Sequence, residues 1–170
     1  MAFIVTGGDS KTYTPAPQGV HQGVCVDVID KGMQPNPFKP GTLQHKLDLA
    51  WQIEETRDDG KRFTLFKRYT ASLHEKASLR KDLESWRGRA FTREEEMGFD
   101  VETIIGANCL INVQHKTNDA GKTYANVVAV MPLAKGMPKM VAFEYVRAKD
   151  KVELQDEPMA EQMEEDGVPF

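Results

Sequence analysis

Apolar and polar side chains alternate along the first third of the chain, and a period of two predicts β-strands. Valines at every second position predict a strand over 20–29, which a polar and proline-rich stretch, 30–41, should end. A second alternation covers 43–54, and an Asp-Gly turn within 57–61 should join it to a third strand, 62–70. These segments predict three consecutive antiparallel strands.

The pattern then changes from a period of two to a helical period. Ser72 and Glu75 fit a capping box, and Leu79, Leu83 and Trp86 recur at the spacing of one helix face. We therefore predict a helix that begins near Ser72 and ends at Gly88.

Shorter signals follow this helix. Thr92 with Glu95, and then Asp100, are typical of the first turns of short helices. Strands are predicted over 109–115 and 122–131, joined by a turn at 118–121, and a last strand over 141–146.

Three strands, a helix and a hairpin occur in the order of an OB-fold, a five-stranded barrel whose helix lies between strands three and four. The sequence therefore predicts a mainly β protein with an OB-fold-like barrel. Another small β-barrel, or an α+β sheet, remains the alternative.

Charge divides the chain of 170 residues into two parts. Residues 151–170 contain seven acidic side chains and one basic side chain, so the preceding 150 residues carry a net charge of +2 although the whole chain carries −4. We predict a folded domain over 1–148 and a disordered acidic interaction tail over 149–170. No segment resembles a signal peptide or a membrane span, so we expect the cytoplasm, that of a bacterial host if a phage encodes the chain.

Catalytic and metal-binding patterns are missing from the sequence. It contains no P-loop, no dinucleotide-binding glycine motif and no nucleophile elbow, and the four histidines lack the spacing of metal ligands. Cys25 and Cys109 lie in apolar strand patterns and are predicted to be buried free thiols. We therefore expect no enzyme, no metal and no cofactor.

The third strand combines basic and aromatic residues, which suits single-stranded nucleic acid because bases stack on aromatic rings and cations neutralise phosphates. In OB-folds the second and third strands form the binding groove. The candidate DNA contacts are Lys46, Trp51, Lys61, Arg62, Phe66, Lys67, Arg68 and Tyr69, with Lys116, Lys122 and Tyr124 near the later hairpin.

Some of these aromatic residues also fit the protein core. Alternation places Trp51 and Phe63 on the apolar face, which favours core packing, and Tyr69 would need a bulge to reach the surface. Phe66 shares a face with Arg62 and Arg68, which favours exposure. A second basic and aromatic cluster, 86–91, is better explained by helix packing.

The last seven residues, Glu164-Glu165-Asp166-Gly167-Val168-Pro169-Phe170, resemble the acidic tip of bacterial single-stranded DNA-binding proteins. The resemblance implies that Phe170 enters an apolar pocket of a partner, with Pro169 as its rigid neighbour. Glu164, Glu165 and Asp166 would then meet basic residues around that pocket.

The body of the chain is similar to proteins of tailed-phage replication modules, identified as OB-fold single-stranded DNA-binding proteins. The similarity covers about residues 13–140. It is carried by 23–28, 79–91 and 126–132, followed by Lys135-Gly136.

The predicted function is therefore sequence-independent coating of single-stranded DNA in phage replication or recombination. Replication, recombination or repair proteins would be recruited through the tail. The alternative is an OB-fold accessory protein that binds such proteins and has little affinity for DNA. The sequence leaves open whether the chain forms a homo-oligomer.

Overall fold

The computed structural model describes residues 14–151, and five strands make up most of their regular secondary structure. The strands are β1 (Gly19–Pro35), β2 (Leu43–Thr56), β3 (Arg62–Thr70), β4 (Asn108–Thr117) and β5 (Thr123–Met131). Between β3 and β4 lie α1 (Ser78–Arg87), α2 (Arg93–Met97) and a 3-10 helix (Val101–Ile104). The predicted mainly β class and the helix between strands three and four are confirmed.

The strands form one antiparallel sheet in the order β3-β2-β1-β4-β5. The long strand β1 is central because its first part pairs with β4 and the rest pairs with β2. β3 and β5 end this order, so the sheet is not closed by a hydrogen-bonded ladder between them.

The inner face of the sheet carries the main core. Its register stacks Cys25, Trp51 and Leu65 in one row across β1, β2 and β3. Leu79, Leu83 and Trp86 of α1 pack on the same cluster, as the helical spacing predicts. Gly88 ends α1 with a φ of 75°, a left-handed conformation that suits glycine.

The start of α1 is a correction. The helix begins at Ser78, and Ser72 instead accepts a hydrogen bond from the amide of His74 in a local turn, so the predicted capping box does not start a helix. By contrast, Thr92 and Glu95 form a capping box at α2, and Asp100 caps the 3-10 helix.

β1 is longer than predicted. It passes through the polar stretch at 30–32 with a register shift and continues to Pro35, which is paired with Leu43. A second shift lies between Cys25 and Asp27, where Val26 is the additional residue. This bulge reverses the faces of the residues that follow, so the valines do not form one continuous row.

The predicted strand at 141–146 is wrong, because these residues are irregular. Glu144 has a φ of +52°, an uncommon conformation for a residue other than glycine, which interrupts the alternation of an extended strand.

Two further observations concern the described residues. Cys25 and Cys109 are free and buried, as predicted, and burial raises the pKa of Cys25 to about 12. Among residues 14–151, no helix has the length and apolar character needed to cross a membrane.

Candidate nucleic-acid interface

The outer face is the surface of β1, β2 and β3 opposite the core. The registers place Thr64, Phe66 and Arg68 of β3 on this face, next to Gln52, Ala50 and Asp48 of β2, respectively. Phe66 is 53% exposed. An exposed ring thus lies between basic residues on the outer face of β3, because Arg62 and Arg68 point the same way.

Several predicted contacts share the outer side of the sheet. Lys46 lies opposite Thr70 and donates a hydrogen bond to its hydroxyl at 2.7 Å. Lys116 and Tyr124 are cross-strand partners on the β4–β5 hairpin, where alternation turns both away from the core. Lys61 and Lys122 lie at the β2–β3 and β4–β5 turns and are exposed.

Three predicted contacts are directed elsewhere. Trp51 and Tyr69 are only 0% and 1% exposed, so neither presents a ring at the surface. Lys67 lies in the register row of Leu49, on the inner side, and its ammonium is 2.8 Å from Asp82 of α1. The hydroxyl of Tyr69 donates to the same carboxylate at 2.5 Å. These side chains attach β3 to α1.

The two arginines of the outer face differ in their partners. Arg68 forms a bidentate salt bridge with Asp48, with N···O distances of 2.7 and 3.2 Å, and this hydrogen bonding raises the pKa of the guanidinium. Arg62 donates to neutral oxygens, the carbonyl of Val141 at 2.7 Å and Gln52 Oε1 at 3.4 Å. The charge of Arg62 therefore remains available to an anion.

Residues 133–151, which we call the arm, return across part of the outer face. Met140 and Tyr145 pack on Val24, Val26 and Ala50, and this second apolar cluster is separate from the core. The arm thus covers the part of the outer face nearest β1. It leaves Phe66 exposed on β3.

Side-chain amides of the sheet hold the arm backbone. Asn108 accepts from the amide of Met140 at 2.7 Å and donates to its carbonyl at 2.9 Å. Gln52 makes the equivalent pair with Phe143, at 2.8 Å in both directions. The backbone N–H and carbonyl groups of Met140 and Phe143 are thus paired with side chains of the sheet and not with a β-ladder.

A buried carboxylate holds the end of the arm. Asp27 is 1% exposed and accepts from the Tyr145 hydroxyl, Arg147 Nε and the Ala148 amide, all at 2.8–2.9 Å. Burial alone would raise the pKa of Asp27, but these hydrogen bonds bring it below its ordinary value. Arg147 also pairs with Glu102 at 2.9 Å.

The arm carries the net positive charge of the described chain. Residues 14–132 contain 16 basic and 16 acidic side chains, whereas residues 133–151 contain five basic and two acidic ones. Four of these bases are exposed lysines of the arm, Lys135, Lys139, Lys149 and Lys151. The excess of positive charge therefore lies on the arm, whereas the sequence predicted the basic site on β3.

A groove of about 750 Å³ lies at the gap between β3 and β5. Its lining includes Phe63 and Phe66 of β3, Ala125 of β5, and Asp58 and Asp59 of the β2–β3 turn. The two carboxylates disfavour a polyanion there, although Asp59 is paired with Arg57. The side of Phe66 that faces Arg62 and the arm is electrostatically more favourable for a polyanion than this groove.

Sequence reasoning missed the arm and the residues that hold it. Gln52 and Asp27 are buried polar residues within apolar strands, and such residues need hydrogen-bond partners. Their burial is visible only in the structure, so it gave no signal in the sequence. The concentration of basic residues in 135–151 was the usable signal.

Other candidate groups serve the fold within the described range. His21 is hydrogen-bonded to Glu54 and to the carbonyl of Pro17, and His115 to the carbonyl of Ala16. Arg87 pairs with Glu95 at 2.6 Å and lies over the ring of Phe91. Residues 14–151 contain no cluster of three side chains suited to a metal ion.

The predicted partner-binding residues Glu164, Glu165, Asp166, Pro169 and Phe170 lie outside the described residues. Comparison of the chain with protein-family models and with curated proteins found no match in either.

Proposed function

We propose that this protein binds single-stranded DNA, without sequence preference, on the outer face of β2 and β3. The observation that carries the proposal is the exposed ring of Phe66, which shares one strand face with Arg62 and Arg68. A ring between guanidinium groups suits a chain of stacked bases and phosphates.

The fold supports this proposal. The central β1, the order β3-β2-β1-β4-β5, the gap between β3 and β5 and the helix before β4 agree with a partly open OB-fold barrel. OB-folds use the surface of strands two and three for single strands. Here that surface carries Phe66.

Partner recruitment is the second part of the proposal and depends on the resemblance of residues 164–170 to the acidic tip of bacterial single-stranded DNA-binding proteins. Removing Pro169 and Phe170 should leave DNA binding intact and abolish the recruitment of replication or repair proteins. A variant that lost both activities would contradict this division of labour.

Fluorescence anisotropy with a labelled oligothymidylate, titrated at several salt concentrations, tests the DNA proposal. We expect log affinity to fall linearly with log salt and single strands to bind more tightly than duplex. Replacing Phe66 by alanine should weaken binding by about 1–3 kcal/mol, the range for one stacked base.

Met97→Ala is the matched control, because Met97 is an exposed apolar side chain on α2, outside the outer face. This variant should bind like the unchanged protein. If the unchanged protein fails to bind any oligonucleotide at low salt, the DNA proposal is wrong. The alternative, an accessory protein that contacts only other proteins, would then be favoured.

A further inference from the structure

We propose that the arm forms one wall of the single-strand site, with Phe143 as a second base-stacking residue and the arm lysines as phosphate contacts. This inference rests on the proposed function, since it concerns how the same face would bind DNA. It adds a ring and most of the positive charge to a site that would otherwise consist of β3.

The position of Phe143 is the first argument. The Gln52 amide fixes its backbone on both sides, so the ring is attached to the sheet at the register row of Thr64, next to that of Phe66. The ring is nevertheless 50% exposed. An aromatic side chain held in place at the surface loses little conformational entropy when a base stacks on it.

The surroundings of the ring are the second argument. The guanidinium of Arg62 lies 5.8 Å from the centre of the Phe143 ring and also donates to the carbonyl of Val141. Because its other hydrogen-bond acceptor within residues 14–151 is the neutral amide oxygen of Gln52, a phosphate can approach this cation without displacing a carboxylate. The rings of Phe143 and Phe66 therefore both lie on the outer side of the sheet, and Arg62 lies beside that of Phe143.

Charge is the third argument, and it indicates which kind of ligand would bind beside the arm. Residues 14–132 have equal numbers of basic and acidic side chains, so the body alone offers a polyanion no net attraction. The arm has three more basic than acidic residues, and its lysines are exposed. An exposed apolar ring beside a basic segment is complementary to single-stranded DNA.

The first experiment replaces Phe143 by leucine and measures the affinity for oligothymidylate by anisotropy. Leucine retains apolar volume but has no ring, so we expect roughly tenfold weaker binding. Met97→Ala serves as the control here too. Met97 is exposed and apolar but lies on α2, outside both the outer face and the arm, so this variant should bind like the unchanged protein.

The second experiment reports stacking directly. Phe143→Trp should restore affinity, and its indole fluorescence should fall when DNA is added, because the two native tryptophans are buried. If the leucine variant binds as tightly as the control and the indole of the tryptophan variant is not quenched, the inference is overturned.

A third measurement tests the lysines. Each phosphate contact contributes about 0.7 to the slope of log affinity against log salt for single strands. Replacing Lys149 and Lys151 together by alanine should therefore lower the slope by about 1.4. An unchanged slope would show that Lys149 and Lys151 do not contact phosphates and would overturn this part of the inference.

These results can be distinguished from failure of the proposed function. If the unchanged protein binds DNA and Phe66→Ala weakens it while Phe143→Leu does not, DNA binding stands and the role of the arm falls. If neither the unchanged protein nor any variant binds DNA, both the proposed function and the role of the arm are wrong.

Discussion

The side-chain amide of Gln52 pairs with both the N–H and the carbonyl of Phe143, at 2.8 Å each. This arrangement replaces one rung of a β-ladder by a side chain. It attaches the arm to β2 at one residue, while the arm residues on either side of Phe143 do not pair with β2 as a strand. The proposed contribution of Phe143 to a DNA site depends on this contact.

Replacing Gln52 by alanine should release this part of the arm. Gln52 is 4% exposed, so its loss leaves both backbone groups of Phe143 to find water. We expect the free energy of unfolding to fall by about 1–2 kcal/mol. Amide hydrogen exchange at Phe143 should also become faster, and urea unfolding together with hydrogen exchange would measure the two effects.

Gln44→Ala is the control for this change, since Gln44 lies on the same strand at the end away from the arm, paired with Gln34. Its stability should change by less than about 0.5 kcal/mol. Equal exchange rates at Phe143 in the Gln52 variant and the unchanged protein would show that the amide pair does not hold the arm.

The Asp27 contacts predict a dependence of stability on pH. The hydrogen bonds of the folded state lower the pKa of Asp27 below its ordinary value of 3.8, so the ionised carboxylate stabilises the fold. This contribution is present above pH 3.8 and is lost as the pH falls through the lower folded pKa. Asp27→Asn should therefore cost about 2 kcal/mol at neutral pH and progressively less below pH 3.8.

Urea unfolding at a series of pH values between 7 and 3 would measure this difference. Asp119→Asn, in the exposed β4–β5 turn, is the control and should run parallel to the unchanged protein. If the stability lost on replacing Asp27 by asparagine grew toward low pH, the predicted direction of the pH dependence would be wrong.

The strands were predictable because their signals are local. The alternation over 43–54, the turn before Gly60 and the basic strand Arg62–Thr70 each depend on neighbouring residues, and all three agree with the structure. The stripe of Leu79, Leu83 and Trp86 likewise identified the buried side of α1. Periodicity carries this information without knowledge of the fold.

The arm was not predictable in this way, because its conformation depends on contacts with residues far along the chain. Val141, Phe143 and Tyr145 alternate like a strand, but their partners are side chains of β2 and β1, and Glu144 adopts a left-handed conformation. A period of two predicts extended backbone and does not show what that backbone pairs with.

The candidate site was predictable in part. Alternation correctly separated exposed Phe66 from buried Phe63, and it favoured the core for Trp51. The total charge of the first 150 residues, however, does not show that basic and acidic side chains balance within 14–132 and that the excess of basic side chains lies in 133–151. The charge near a given surface can be assigned only when the path of the chain in space is known.

Burial of the native tryptophans and thiols gives a simple spectroscopic prediction. Trp51 and Trp86 are at most 7% exposed, and Cys25 and Cys109 are fully buried. Iodide should therefore quench tryptophan emission weakly. A thiol reagent should react slowly at pH 8, because burial excludes the reagent and raises the pKa of Cys25 to about 12. Both should increase sharply in denaturant, and rapid thiol labelling of the folded protein would contradict this packing.

Removing residues 152–170 should strengthen DNA binding at low salt. This segment contains seven acidic side chains and no basic ones, so its loss changes the net charge from −4 to +3. It follows directly on the basic arm, and an acidic segment tethered there competes with DNA phosphates for the same lysines at a high effective concentration. We expect at least fivefold tighter binding at low salt and a steeper dependence of affinity on salt.

The control for the truncation keeps its length and removes its charge, by replacing the seven acidic residues with their amides. If competition is electrostatic, this variant should bind like the truncated protein, and both should converge on the unchanged protein at high salt, where screening weakens tail and DNA contacts alike. Equal affinities of all three proteins at low salt would show that the tail does not compete for the arm. Tighter binding after truncation but not after neutralisation would assign the effect to steric exclusion.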